Sequence, residues 1–295
     1  MSSVGTAQAQ EKAVGSAAEP FGYCLNTSTI SGQKLALPKV AEIAAKAGYG
    51  AIEPWIREID AYVKAGGSLD DLRKRIADLG LTVESAIGFF DWAVDDEKRR
   101  AGALESAKRD MELVRKIGGK RIAAPPAGAT DVASISLMHL AERYRELLKV
   151  GDEAGVVPQV EVWGFSKCLG RLSEAIYVAA EANHPKACIL ADIYHLHRGG
   201  SGYAGLSLLG PKSMHVLHVN DFPAGPAAQL NDSQRVYPGD GVAPLGSIFR
   251  TLRDIGWRGF LSLELFQRDY WKLDAAEVAK TGLEKTRKSV REALA

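Results

Sequence analysis

The sequence predicts an α/β protein of the (β/α)8 TIM barrel class: a single domain over residues 21–295, behind a short flexible tail at 1–20. Three observations carry this. From Phe21 onward, short apolar runs alternate with longer amphipathic segments through eight units without a break. The short runs are apolar at successive positions, as parallel strands buried on both faces must be. The chain has 295 residues, a length that suits such a barrel in one piece. A doubly wound open sheet is the competitor. Its phosphate fingerprint, a glycine-rich turn after the first strand, is missing, because the first strand leads into Asn26-Thr27-Ser28-Thr29.

The elements follow in order. Gly22–Asn26 reads as the first strand. Leu35–Gly48 carries apolar residues at helical spacing and stops on glycine, which tolerates the left-handed turn at a helix end. Gly50–Glu53 is the second strand, Leu69–Leu79 a helix stopped by Gly80, and Thr82–Ile87 the third strand. Asp96–Ile117 is a long helix closed by Gly118-Gly119. Arg121–Ala124 is a strand stopped by Pro125-Pro126, and Ile135–Ala154 is a helix that ends at Gly155. Four more apolar runs end at Glu161, Asp192, His218 and Glu264, with helices near Leu172–Asn183, Gly205–Gly210, Leu245–Ile255 and Ala275–Leu294.

Composition excludes some classes. A net charge of +1 offers no electrostatic case for nucleic acid or an anionic membrane. No apolar stretch approaches the roughly 20 residues of a membrane span. Cys24, Cys168 and Cys188 are far apart and in no ligand spacing, so buried free thiols are expected. A cytoplasmic location is the expectation. Ala7-Gln8-Ala9 resembles the end of a secretory leader without the segments that should precede it, so the periplasm is the alternative if a leader was removed. The sequence is silent on assembly, and a homo-oligomer stays open.

The chemistry concentrates at four strand ends. Val-Pro-Gln-Val-Glu161, Ala-Cys-Ile-Leu-Ala-Asp192, Met-His-Val-Leu-His218 and Gly-Phe-Leu-Ser-Leu-Glu264 each close on a polar residue, on consecutive strands five to eight. In a barrel, the C-terminal strand ends form the catalytic mouth. A single polar strand end usually binds a nearby amide. Three carboxylates at one rim repel one another and need a cation. Oxygen-rich donors with one imidazole suit one divalent metal, Mn²⁺, Mg²⁺, Co²⁺ or catalytic Zn²⁺. Around them, His195 follows Asp192 by three positions, with His197 just beyond as a solvated loop residue or a second site imidazole. Asp221 either orients a ligand or holds its loop, and Arg235 opens Arg-Val-Tyr-Pro-Gly-Asp-Gly241. Trp55, Phe89, Phe90, Trp92 and Trp163, all after strand ends, are expected to wall a pocket.

Several of these segments together resemble a known family. Glu161-Val-Trp-Gly, Asp192-Ile-Tyr-His-Leu-His, His218-Val-Asn-Asp-Phe-Pro, Arg235-Val-Tyr-Pro-Gly-Asp-Gly and Ser262-Leu-Glu264-Leu-Phe-Gln-Arg-Asp-Tyr-Trp are similar to the xylose isomerase-like barrels. These form the sugar phosphate isomerase/epimerase group, and the likeness is strongest to the inosose (2-keto-myo-inositol) isomerases within it. The resemblance covers about Phe21 to Val290. It implies that Glu161, Asp192, His218 and Glu264 are metal ligands, that Glu161 and Glu264 are the catalytic proton-transfer pair, and that His195 contacts substrate oxygens. It implies isomerisation or epimerisation of a keto-inositol or ketose through an enediolate held at the metal. The chain departs from the ketohexose epimerases of the group. They carry a second acid after the strand-five Glu and an Arg after the strand-seven His. Here the stretches read Trp163-Gly-Phe-Ser-Lys167 and Asn220-Asp-Phe-Pro-Ala224. Substrate choice is therefore expected to fall to Lys167, Asp221, Arg235, Trp55 and Trp163. The group also includes lyases and dehydratases on keto-sugars or 3-keto-glycosides, which remain the alternative, with a non-catalytic sugar-binding barrel behind them. A DNA-repair endonuclease shares the barrel but would want more than six histidines and a basic face.

Overall fold

The computed structural model describes residues 19–295, so the expected tail at 1–20 and the Ala7-Gln8-Ala9 segment lie almost wholly outside it. The strands are β1 Gly22–Asn26, β2 Ala51–Glu53, β3 Thr82–Val83, β4 Arg121–Ala124, β5 Val157–Glu161, β6 Ile189–Asp192, β7 Met214–Val219 and β8 Phe260–Leu263. All eight form one sheet in the order β3-β2-β1-β8-β7-β6-β5-β4, and every ladder is parallel. The pairing of β1 with β8 joins the first unit to the last. The remaining seam, between β3 and β4, is crossed where Ala123 N–H donates to the Ala86 carbonyl at 2.8 Å. The sheet is thus curled into the barrel that the eight-fold alternation predicts.

The third strand is shorter than the expected Thr82–Ile87. Pro54, opposite it, has no N–H to continue the ladder. The chain instead pairs one residue at a time: Ile87 N–H donates to Pro54 O, and Ile56 N–H donates back to Ile87 O, both at 2.9 Å. This leaves Trp55 beside Ile87 at the mouth.

The helices are α1 Leu37–Ala47, α2 Ile56–Lys64, α3 Leu69–Asp78, α4 Glu97–Lys116, α5 Leu137–Ala154, α6 Leu172–Glu181, α7 Ile193–Arg198, α8 Leu245–Asp254 and α9 Ala275–Leu294. Ser68, Asp96, Ser136 and Asp274 cap the N-termini of α3, α4, α5 and α9 with their side chains. Gly48 takes φ 98° after α1, the left-handed stop the sequence marks there. Two helices were not expected. α2 buries only Ile56 and Ile59, too few apolar positions to show as a pattern. α7 follows β6 with no loop, because the Asp192 carboxylate accepts the His195 N–H at 3.0 Å and starts the helix. The helix expected near Gly205–Gly210 is a 3-10 turn, Ala204–Leu208.

The main core lies between the strands and the helical layer, with Trp92, Trp257, Phe21 and Phe249 fully inside. A smaller cluster of Ile87, Ala123, Leu190 and Val216 fills the barrel axis beneath Trp55. Cys24, Cys168 and Cys188 are buried and free. Among the described residues, no helix is long and apolar enough to cross a membrane.

Candidate active site

Parallel register brings the four strand ends together. Asp192 on β6 stands beside His218 on β7, and His218 stands beside Ser262 on β8, two positions before Glu264. The His218 ring is the hub. Its Nδ1 lies 3.2 Å from Glu264 Oε2, 3.5 Å from Asp192 Oδ2 and 3.8 Å from Glu161 Oε1. All four side chains are buried.

The donor set fits a cation. One atom each from Asp192, His218 and Glu264 lie within 4.8 Å of one another, and Glu161 borders them. His218 Nδ1 and Glu161 Oε2 are buried with no hydrogen-bond partner among the described residues. Two buried polar atoms left without partners in one acidic cluster are costly as they stand. A divalent cation would satisfy both.

The charges are strongly perturbed. Burial pushes the Glu161 carboxyl well above its ordinary range, and nearby Glu264 and Asp192 add to this against the pull of His218. Burial acts the same way on Asp192, but the Arg235 guanidinium, with His195 and His218, holds it well below. Burial disfavours a charged His218, yet Glu264 and Glu53 hold its proton on to well above the usual range. Burial pushes His195 down to about 4, so its ring is neutral at pH 7.

Arg235 is the counter-ion inside the cluster. Its Nη1 donates to Asp192 Oδ2 and to Glu264 Oε2, each at 2.8 Å. Its Nη2 pairs with Asp232 and lies 3.2 Å from His195 Nε2. The ring of Tyr194 stacks against the guanidinium at 4.4 Å.

Above the cluster is a cavity of about 320 Å³. Glu161, Glu264, His195, Asp232 and Arg235 supply its polar floor. Its wall is a chain of edge-to-face rings, Phe266 against Trp55 at 5.9 Å, Trp55 against Phe89 at 5.4 Å and Phe89 against Trp163 at 5.5 Å, extended by Phe165, which is tilted 35° against Trp163 at 5.2 Å. A larger hollow opens at the opposite mouth, lined by the strand starts Gly22, Gly50 and Thr82. It is far from the acidic cluster, and chemistry belongs to the C-terminal mouth.

Of the residues singled out from sequence, Glu161, Glu264, His195, Arg235, Trp55 and Trp163 line the cavity, and Asp192 and His218 lie directly beneath it. Lys167 and Asp221 do not line it. The Lys167 side chain is exposed and pairs with Asp131 at 3.3 Å. The buried Asp221 carboxylate accepts the N–H groups of Phe222, Gly239, Gly241 and Ala243 at 2.8–3.0 Å, so it holds the Pro-Gly-Asp-Gly loop. Gly241 is required there, since an added Cβ would sit 2.3 Å from Asp221 Oδ1. Phe90 and Trp92 also fall outside the wall. Both are core residues, and Trp92 Nε1 donates to Pro125 O at 2.7 Å. His197 stacks on Phe222 at 4.2 Å rather than entering the cavity.

Sequence reasoning missed Asn26 and Glu53. Both are fully buried strand ends, on β1 and β2, and both bond to the cluster. The signal was the one used on strands five to eight, a polar residue closing an apolar run.

Residues 41–289 match the model of the xylose isomerase-like TIM barrel family. The chain belongs to that family. An inosose isomerase of Bacillus licheniformis is 30% identical over 277 residues, which cover 89% of this chain and 95% of that protein. A crystal structure of the IolI protein with a bound zinc atom superposes with a TM-score of 0.85 at 25% identity, over 92% of this chain and 99% of that one. A 3-dehydroshikimate dehydratase of Pseudomonas aeruginosa is 26% identical over 239 residues, which cover 78% of this chain and 36% of that protein. Relatives of this chain thus carry names for more than one reaction, and only the site can choose among them.

Proposed function

We propose that this xylose isomerase-like barrel is a divalent-metal-dependent isomerase or epimerase of an uncharged keto-inositol or ketose. That it is an enzyme of the sugar isomerase and epimerase kind follows from relatives that are named isomerases, epimerases and dehydratases. The observation that carries the finer reading is the pairing of charge around the cavity. Every cation lining it is already committed: Arg235 to Asp192, Glu264 and Asp232, and His195 is neutral. Among the described residues, no lining side chain offers a spare positive charge to a carboxylate or phosphate. A ring with polar edges and apolar C–H faces fits both the acidic floor and the aromatic wall.

The residues that would hold the cation are Glu161, Asp192, His218 and Glu264. Bound there, it would supply Lewis acidity that polarises a carbonyl and acidifies the neighbouring C–H. Glu161 lines the cavity and keeps one oxygen, Oε2, with no hydrogen-bond partner among the described residues, and its raised proton affinity suits a group that takes and returns a proton. Glu264 is held more firmly, by Asn26 on Oε1 and Arg235 on Oε2. In this scheme Glu161 removes the carbon-bound proton. Delivery of a second proton to the opposite face, from Glu264 entering in its protonated form, gives epimerisation; return of the first proton from Glu161 to the former carbonyl carbon, with the hydroxyl proton passing to the former carbonyl oxygen, gives isomerisation. His195 meets the substrate oxygens from the floor, Arg235 holds the carboxylates around them in place, and the rings exclude water.

The dehydratase relatives favour a second reading, loss of a leaving group β to the carbonyl after the same first step. Their named substrate, 3-dehydroshikimate, carries a carboxylate, for which the described lining residues offer no free cation. A panel of uncharged keto-inositols and ketoses against 3-dehydroshikimate, with 3-keto-glycosides as the uncharged eliminating class, tests the choice. Interconversion of an uncharged ketone with no released water or aglycone supports the isomerase. Turnover of 3-dehydroshikimate alone would replace it.

A further inference from the structure

We propose that Glu53 is the positioning residue of the metal centre: it grips the His218 ring by Nε2–H and so presents Nδ1 as the ligating nitrogen. This rests on the metal-site reading above. Glu53 is not among the residues that line the cavity of about 320 Å³, and its contact with the cluster is through His218.

The geometry is specific. Glu53 closes β2 and is fully buried. Its Oε2 accepts from His218 Nε2 at 3.0 Å, from Asn26 Nδ2 at 3.0 Å and from Ser262 Oγ at 2.6 Å. These donors come from β7, β1 and β8, so three strands converge on one carboxylate oxygen. A carboxylate that accepts from one imidazole nitrogen fixes the proton there and leaves the other lone pair for a metal, while raising its basicity. On the far side, Nδ1 faces Glu264, Asp192 and Glu161. A buried carboxylate with no part in the apolar core is expensive to keep unless something uses its charge.

Asn26 makes the arrangement single-valued. Its Oδ1 accepts from Ser28 N–H and Trp55 Nε1, both at 3.0 Å, and neither group can act otherwise than as a donor. The amide therefore turns Nδ2 toward the carboxylates, and donates at 3.0 Å to both Glu53 Oε2 and Glu264 Oε1. One side chain thereby sets the orienter of His218, fixes the Glu264 carboxylate so that Oε2 faces the cluster, and ties both to the aromatic wall at Trp55.

The test is metal affinity, not turnover. Zn²⁺ and Mn²⁺ binding to the full chain is measured by competition with a chromophoric chelator, and the visible spectrum of the Co²⁺ form reports ligand geometry. Glu53→Gln keeps an acceptor oxygen without the charge, and Glu53→Ala removes both. The expected result is an affinity loss of about 10- to 100-fold, larger for Ala than for Gln, with a changed Co²⁺ spectrum. Unchanged affinities and spectra in both variants, beside a wild type that binds normally, would overturn the role of Glu53 alone. A wild type that binds no divalent cation would overturn the metal-site reading and this proposal with it. Should both variants fail to fold, nitrogen NMR of the zinc-loaded wild type decides. Protonated Nε2 with coordinated Nδ1 on His218 supports the proposal, and the reverse assignment refutes it.

Discussion

Arg235 and Asp192 form an ion pair at 2.8 Å with neither side chain reaching solvent. The same guanidinium nitrogen is 2.8 Å from Glu264, so one cation holds two of the carboxylates that border His218. Removing it should leave two buried anions uncompensated. Arg235→Met is expected to lose about 3–5 kcal/mol in the metal-free protein. The loss should be smaller with saturating divalent metal, which neutralises the same carboxylates. Urea unfolding of both forms checks this, and an equal loss in both would separate Arg235 from the metal cluster.

Asp221 is expected to stabilise its loop rather than select substrate. Asp221→Asn turns an amide N–H toward backbone N–H groups that the carboxylate now satisfies. A stability loss of about 1–3 kcal/mol should follow. KM for the eventual substrate should change less than for Trp163→Ala at the cavity wall.

Metal removal should act on stability as well as activity. Dialysis against a chelator leaves His218 Nδ1 and Glu161 Oε2 orphaned among carboxylates. Metal at about 100 times its Kd should restore about 2.7 kcal/mol, read as a concentration-dependent rise in Tm. A Tm blind to every divalent ion would contradict the site.

His215, near the start of β7 and remote from the site, gives a pH signature. Burial, with Arg121 assisting, pushes it from 6.5 down to about 4. Its folded value is thus below its unfolded one, so between these values the unfolded chain binds more protons. Stability from neutral His215 is present above about 6.5 and is lost as pH falls toward 4. His215→Gln should flatten that part of the urea-midpoint profile relative to wild type.

Fold and site differed in how far they could be read from sequence. Strand starts and glycine helix stops, as at Gly48 and Gly155, mark local backbone requirements, and they stand close to where the sequence puts them. The proposed ligands were legible because each closes an apolar run, and parallel register turns that repeated position into one rim. Asn26 and Glu53 obey the same rule, but Asn and Glu at a strand end have no separate chemistry until His218 is known to lie opposite. Asp221 shows the converse. The sequence leaves it open between orienting a ligand and holding its loop, and the partners that decide for the loop are backbone N–H groups, which no side-chain pattern records. Phe90 and Trp92 fall in the core because β3 breaks after Val83, a consequence of pairing across strands rather than of their own sequence.

The central claim is that Glu161 moves a carbon-bound proton at a metal site. Proton NMR of uncharged keto-inositols and ketoses in D₂O, with Mn²⁺- or Zn²⁺-loaded protein, measures it most directly, the Zn²⁺ form avoiding paramagnetic broadening. The account predicts deuterium uptake next to the carbonyl of at least one uncharged ketone, lost on chelation and slowed at least about 10²-fold in Glu161→Gln. Uptake that persists in the chelated protein or in Glu161→Gln would contradict it.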